Sequence, residues 1–215
     1  MIREIIEKIR KRYYHYKAMR DPREVYGKLA PTAYLSHEAY VYNTRNLYLD
    51  EYTAIYSGAL IMNSRSKFIM KRRSGASHNL TVVPGNHLSL VGQWRGTVTD
   101  EVKDKVLKSK EYDKDIIVDE DVWIGVNVTL LNGVHIGRGC IVGGGAVVRS
   151  STPPYSIVVG NPAKVVGFTF SPEEIIEHEK ALYSEKERLP LELLEKNYNK
   201  YYKKRLKEIA HYMHI

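Results

Sequence analysis

One cysteine in 215 residues, and no apolar run approaching a membrane span, set the first limits on this chain. A lone thiol, Cys140, makes no internal disulfide and supplies no cysteine cluster for zinc. A spanning helix needs roughly 20 consecutive apolar residues, and none is present. The N-terminus, MIREIIEKIRKRYYHYK, is charged from its third residue and lacks the uninterrupted apolar core of a secretory leader, so a cytoplasmic location is expected. No nucleic-acid module is recognisable, which argues against nucleic acid as a partner despite a net charge of +8. The basic residues gather in the first 20 positions and in Lys200, Lys203, Lys204, Arg205 and Lys207. That distribution leaves weak peripheral contact with an anionic membrane, or a phosphorylated ligand, as open readings.

What is present is a period of six. From Val118 to Pro153 the chain reads VDEDVW, IGVNVT, LLNGVH, IGRGCI, VGGGAV, VRSSTP. Position one is Val118, Ile124, Leu130, Ile136, Val142 and Val148, all branched aliphatics. Position five is Val122, Val128, Val134, Cys140, Ala146 and Thr152, all small or β-branched. A sandwich of regular strands would alternate with variable spacing, whereas aligned hexapeptides read as a parallel β-helix. Three hexapeptides closing one coil put Val118 over Ile136 and Ile124 over Val142. Position two is often glycine (Gly125, Gly137, Gly143), which is expected to serve a tight corner conformation. Cys140 then belongs to the wall as a small buried hydrophobe.

The beat begins at Leu29, Leu35, Val41 and Leu47, slips by two, and resumes at Leu49, Ile55 and Ile61. Tyr34, Tyr40, Tyr42 and Tyr48 flank inward positions and should face outward. Outward aromatic rows suit a subunit interface or, less commonly, sugar stacking. Phe68, Ile69 and Val82 are candidate inward residues. From Leu88 to Asp115 the beat stops, and a polar, charged insertion of this length in a solenoid is more often functional than not. Pro153-Pro154 is expected to end the strands. Residues 1–28 form an expected helical cap, or an interfacial membrane helix, from the stripe Ile2, Ile5, Ile6, Ile9 and Tyr13. The β-helix domain covers 29–169, and a helical tail, 170–215, opens at Ser171-Pro172-Glu173-Glu174 and breaks near Pro190.

Gly85-Asn86-His87 ahead of the insertion, and Val122-Trp123-Ile124-Gly125 after it, complete a second pattern. In this order the chain, from Ala33 to Val166, resembles the hexapeptide-repeat acyltransferases of the galactoside, maltose and nodulation-factor O-acetyltransferase type. The resemblance implies a left-handed parallel β-helix, a homotrimer with sites at subunit interfaces, acetyl-CoA as acyl donor and no required metal. It makes His87 the catalytic base, since a neutral imidazole takes the proton of an attacking hydroxyl. It lays the coenzyme along Val126, Gly144, Arg149 and Ser150 with Lys164 at a phosphate, and puts the acceptor near Tyr56, Asn63, Ser64 and Trp123. Simple packing is the rival account of Trp123, and solvated surface that of Lys164.

Three departures qualify the match. Val126 stands where the family often has serine, leaving a backbone N–H near Gly125 and Val126 as the oxyanion donor. Arg149-Ser150 replaces a common Thr-Lys. The early coils lack the usual sugar-reading residues. The acceptor expected by resemblance is a hydroxyl of a saccharide or polysaccharide precursor. The alternatives are amino-sugar N-acetylation, antibiotic O-acetylation and, in another class, a non-catalytic scaffold. His78 is a second candidate for the same cleft, and His135 should be exposed. A γ-class carbonic anhydrase is set aside, because its closely spaced histidine pair on adjoining coils is missing.

Overall fold

Branched aliphatics at every third hexapeptide stack into three columns, and the columns build three parallel walls. The computed structural model describes residues 25–106 and 112–213. Wall one holds β1 (Lys28–Leu29), β4 (Leu47–Leu49), β7 (Phe68–Met70), β10 (Ile116–Val118) and β13 (His135–Ile136). Wall two holds β2 (Tyr34–Leu35), β5 (Ala54–Ile55), β8 (Gly75–Ala76), β11 (Trp123–Ile124) and β14 (Ile141–Val142). Wall three holds β3 (Tyr40–Val41), β6 (Leu60–Ile61), β9 (Thr81–Val83), β12 (Thr129–Leu131) and β15 (Val147–Val148). The result is a left-handed parallel β-helix. Val118 pairs with Ile136 and Ile124 with Val142, as the period requires. Inside, Leu49, Met70, Val118 and Ile136 stack in one column with no solvent exposure.

The first coils are longer than those after Val118 because extra residues bulge at the corner before wall one. Thr44–Asn46 forms a 3-10 turn there, and Asn63 to Lys67 make the next bulge. The bulges leave β4 and β7 with two inward residues each, so Leu47 and Leu49, then Phe68 and Met70, are buried. Ile69 therefore faces outward on β7, contrary to expectation, and Met70 takes its place inside.

Position two is not the corner conformation that its glycines suggested. The left-handed backbone falls at position four, on Asp121, Asn127, Gly133, Gly139 and Gly145. Aspartate and asparagine tolerate that region better than most residues, which explains the two non-glycine cases. Position-two glycines answer a different demand, the close approach of the next coil. A Cβ on Gly125 would lie 2.6 Å from the Gly144 nitrogen, and one on Gly137 2.6 Å from the Pro154 nitrogen.

Pro153-Pro154 does not end the strands either. Thr152 bridges to Ile136, and the chain re-enters wall two as β16 (Ser156–Val159), parallel to β14. A hairpin through Gly160 then returns as β17 (Lys164–Phe168), antiparallel, and closes that end. Cys140 is fully buried, and its Sγ contacts the carbonyl of Pro153 at 3.0 Å.

The tail packs on this closed end. Ser171 caps the helix Pro172–Leu182 with a reciprocal box to Glu174, and Pro190 immediately precedes the helix Leu191–Tyr201. Glu179, on the inner face of the first helix, is completely buried. Its carboxylate accepts from Arg138 Nη1 at 3.1 Å, from the Tyr155 hydroxyl at 3.0 Å and from the Leu189 amide. The Arg138 guanidinium also lies 4.1 Å from the centre of the Tyr183 ring. Burial pushes the Tyr183 phenol up to about 12 and raises the Tyr155 phenol further. The cap expected over 1–28 falls almost wholly outside the described residues. Among those described, no helix is long and apolar enough to cross a membrane.

Candidate active site

Wall three delivers His87. β9 ends at Val83, and the next four residues turn outward as Pro84-Gly85-Asn86-His87. Leu88, 5% exposed, drops back against the body and fixes the residue after the histidine. The imidazole itself is exposed and opens on two cavities. One, of about 630 Å³, is lined by Asn86, Ser89, Arg95 and Val98 beside His87. The other, of about 560 Å³, runs from His87 past Ser64 to Tyr42 and Met62. Ser89 Oγ accepts a 3.0 Å hydrogen bond from Arg95 Nε and so orients that guanidinium.

The insertion that begins after His87 comes back beneath it. It carries the 3-10 turn Arg95–Thr97 and the helix Asp100–Val106. Arg65 pairs with Asp100 at 2.9 Å, with Asp104, and with Asp113 at 3.4 Å. Asp113 is also held by Lys103, and neither Lys103, Asp113 nor Arg65 was legible as part of this region. Nothing in the run DEVKDKV tells which lysine turns inward.

Of the other sequence-predicted site residues, Ser64 alone lines either of these two cavities among the described residues. Asn63 is fully buried and engaged: its Oδ1 accepts from the Asn43 amide at 3.1 Å and its Nδ2 donates to the Asn43 carbonyl at 2.9 Å. It holds two coils together and offers nothing to an acceptor. Trp123 stands on the outer face of wall two, 48% exposed, with its ring over Gly75. It is not buried within its own chain, and it lines neither cavity at His87. Tyr56 lies on the same wall, between Tyr34 and His78 at centroid distances of 5.7 Å each. Within its own chain His78 lines neither cavity at His87; its Nδ1 pairs with Ser57 Oγ at 2.7 Å. His135 is exposed and bonds Asp119 at 2.7 Å.

The coenzyme positions form a line along the coils. Val126 and Gly144 are stacked neighbours, with the Gly145 amide donating to the Val126 carbonyl at 2.8 Å. The Gly125 amide donates to Val142 at 2.8 Å, so it is not an oxyanion donor; the Val126 amide takes no part in this ladder. Arg149 and Ser150 are exposed just beyond β15. The hairpin turn lies beside them, since Val147 bonds both Gly160 and Ala163. Lys164, 41% exposed, pairs with Glu208 at 3.1 Å. Arg205, and then Lys164, hold the Glu208 carboxyl down at about 2. Among the described residues no cluster of three or more His, Cys, Asp or Glu could hold a metal ion.

Comparison with known proteins adds to this geometry. Residues 115–150 match the bacterial transferase hexapeptide (six repeats). A probable macrolide acetyltransferase of Lysinibacillus sphaericus is 37% identical over 109 residues, 51% of this chain and 56% of its own length. A chloramphenicol acetyltransferase of Escherichia coli is 44% identical over 61 residues, 28% of this chain and 29% of its own. The chain thus spans only part of the curated relatives it matches. A hexapeptide-repeat-containing acetyltransferase of Vibrio cholerae superposes with a TM-score of 0.60 at 19% identity, covering 78% of this chain and 92% of the other. A maltose O-acetyltransferase of Clostridium difficile superposes with a TM-score of 0.58 at 18% identity, covering 76% and 83%. The chain resembles the hexapeptide-repeat acyltransferases in both repeat and fold.

Proposed function

We propose that this chain, built on the transferase hexapeptide, is an acetyl-CoA-dependent O-acetyltransferase acting on a hydroxyl of a saccharide or polysaccharide precursor. The observation that carries the reading is His87, an exposed imidazole on a short turn where the β-helix breaks into its insertion, facing two open cavities. Acetyl-CoA supplies an activated thioester. The acceptor oxygen forms the new ester bond as the carbon–sulfur bond breaks. His87 takes the hydroxyl proton and returns it to the departing thiolate, which balances the step.

The chain's own surface fits such a donor. Val126 and Gly144 leave a smooth ridge with small side chains, where an extended pantetheine chain finds backbone groups and little obstruction. The Val126 amide is the remaining oxyanion candidate on that ridge. Arg149 is the exposed cation near its end, with Lys164 reachable only if it leaves Glu208. A Vibrio cholerae hexapeptide-repeat acetyltransferase of the same fold has been solved in complex with acetyl-CoA, which supports this choice of donor.

Assembly follows from the split in the site. His87 and Ser64 sit off wall three, while Trp123, Tyr56 and Val126 lie along wall two and the corner after it. One chain keeps the groups apart, and a neighbour packed wall to wall brings them together. A homotrimer with three interfacial sites accommodates both. The exposed Tyr34, Tyr40 and Tyr42 lie on those outer surfaces.

The polar lining of the His87 cavity, with Asn86, Ser89 and Arg95, suits a hydroxyl-rich acceptor. A second reading, an antibiotic hydroxyl, is favoured by the names of the macrolide and chloramphenicol relatives. A thiol-release assay against sugars, amino sugars, and macrolide and chloramphenicol alcohols separates them. Turnover with a neutral or acidic sugar at least about tenfold above the rest, equivalent to about 1.4 kcal/mol in the barrier, is expected. Preference for the antibiotics selects the second reading, and preference for amines removes O-transfer.

A further inference from the structure

We infer that Asp113, at the far end of the insertion, is a positioning residue for His87 and that Lys103 is the cation that holds it in place. The inference rests on the reading of His87 as the base and extends it to the residues that aim it.

The His87 ring has no hydrogen-bonding side chain against it among the described residues, so its direction is set by the backbone turn that carries it. That turn has two anchors, and both come from consecutive residues at the end of the insertion. The Lys114 amide donates to the Pro84 carbonyl at 3.1 Å. The Asn86 amide donates to Asp113 Oδ1 at 3.3 Å. Gly85 lies against the same carboxylate, where a Cβ would come within 3.1 Å of Oδ1. Asp113 is in turn fixed on its other side. Lys103 Nζ donates to both of its oxygens, at 3.0 and 2.9 Å, and Arg65 Nε lies 3.4 Å from Oδ2.

Burial makes this pair stiff. The Asp113 side chain is 6% exposed and that of Lys103 10%. A charged pair sheltered from water holds its geometry because either partner, left alone, would be a buried uncompensated charge. The other carboxylates on Arg65, Asp100 and Asp104, are far more exposed, at 68% and 51%. Thus the helix Asp100–Val106 is tied, through Lys103 and Asp113, to the backbone one residue before the imidazole.

The test uses the full chain and two variants, Asp113→Ala and the double variant Lys103→Gln with Asp113→Asn. The first removes the acceptor for Asn86; the second keeps an oxygen there and replaces the ion pair with a neutral hydrogen-bonded one. A displaced base costs rate steeply, so Asp113→Ala is expected to lower kcat by about 10–100-fold with KM for acetyl-CoA within about twofold. Amide hydrogen exchange at Asn86 should accelerate in the same variant. The double variant should recover kcat to within about fivefold of the parent, because the anchor and not the charge is what matters. Native kcat and native Asn86 protection in Asp113→Ala would overturn the inference. So would a shifted midpoint of the pH–rate profile with Asn86 still protected, since that marks an electrostatic effect on the base. If His87→Ala is itself fully active, the base reading falls and takes this role with it. Loss of the anchor alone is read independently, from Asn86 exchange.

Discussion

On the proposed mechanism His87→Ala is expected to turn over about 10²–10⁴-fold more slowly than the parent chain, with acetyl-CoA binding nearly unchanged. The size reflects what a positioned base does: it acts on the proton in flight, and little of its effect is present in the ground state. The histidine is exposed on a turn outside the stacked core, so the variant should melt with the parent. His78→Ala is the matched control, because that imidazole lines neither cavity at His87 in its own chain and is already engaged by Ser57 and Tyr56. Its loss should change turnover by less than about fivefold. Steady-state kinetics with the best acceptor of the panel checks both. Near-native turnover of His87→Ala alongside an inactive His78→Ala would move the chemistry to wall two.

Arg138→Ala is expected to destabilise the fold by about 3–5 kcal/mol, because it strips a fully buried carboxylate of its cation. Glu179 has no exposure at all, and its remaining partners, the Tyr155 hydroxyl and the Leu189 amide, carry no charge. Arg138 also donates to the Glu187 carbonyl at 2.8 Å and stacks on Tyr183. One side chain thus joins its coil to the helix Pro172–Leu182 and to the turn that follows it. In a chain of this size, the loss corresponds to a fall in Tm of roughly 6–20 °C. Replacing both charges, Arg138→Met with Glu179→Leu, should recover most of it, since apolar groups of similar volume leave no orphan. Calorimetry distinguishes the cases; an Arg138→Ala melt equal to the parent's would show that the tail is not held this way.

How much of this was legible depended on the kind of constraint. The inward series Val118, Ile124, Leu130, one residue from each wall, was readable because a buried, shape-restricted site admits few residue types. The early coils blurred because corner bulges at Thr44–Asn46 and after Asn63 break the count without changing composition. That is why Ile69 was placed inside and Met70 missed. Gly125 was misread because glycine answers two demands, positive φ and close approach, and only the coordinates tell them apart. Asp121 and Asn127 at position four were the sign that the left-handed residue lay there. Asn63 looked like an acceptor ligand, but a polar residue facing a coil corner is equally suited to satisfying backbone groups. The ion pair of Lys164 left no sign in the sequence because its partner, Glu208, is far along the tail. The turn at His87 was found from local order, while its support by Asp113 and Lys103 is tertiary and leaves no local trace.

Calorimetric titration of the full chain with acetyl-CoA tests the central claim most directly. The account predicts saturable binding near one coenzyme per chain, with Kd between about 1 μM and 1 mM, the ordinary range for an enzyme's substrate. Binding should persist in His87→Ala and weaken in Arg149→Ala, which removes the exposed cation beyond β15. No heat and no thermal stabilisation at millimolar acetyl-CoA would contradict the account, and would leave this β-helix as a scaffold.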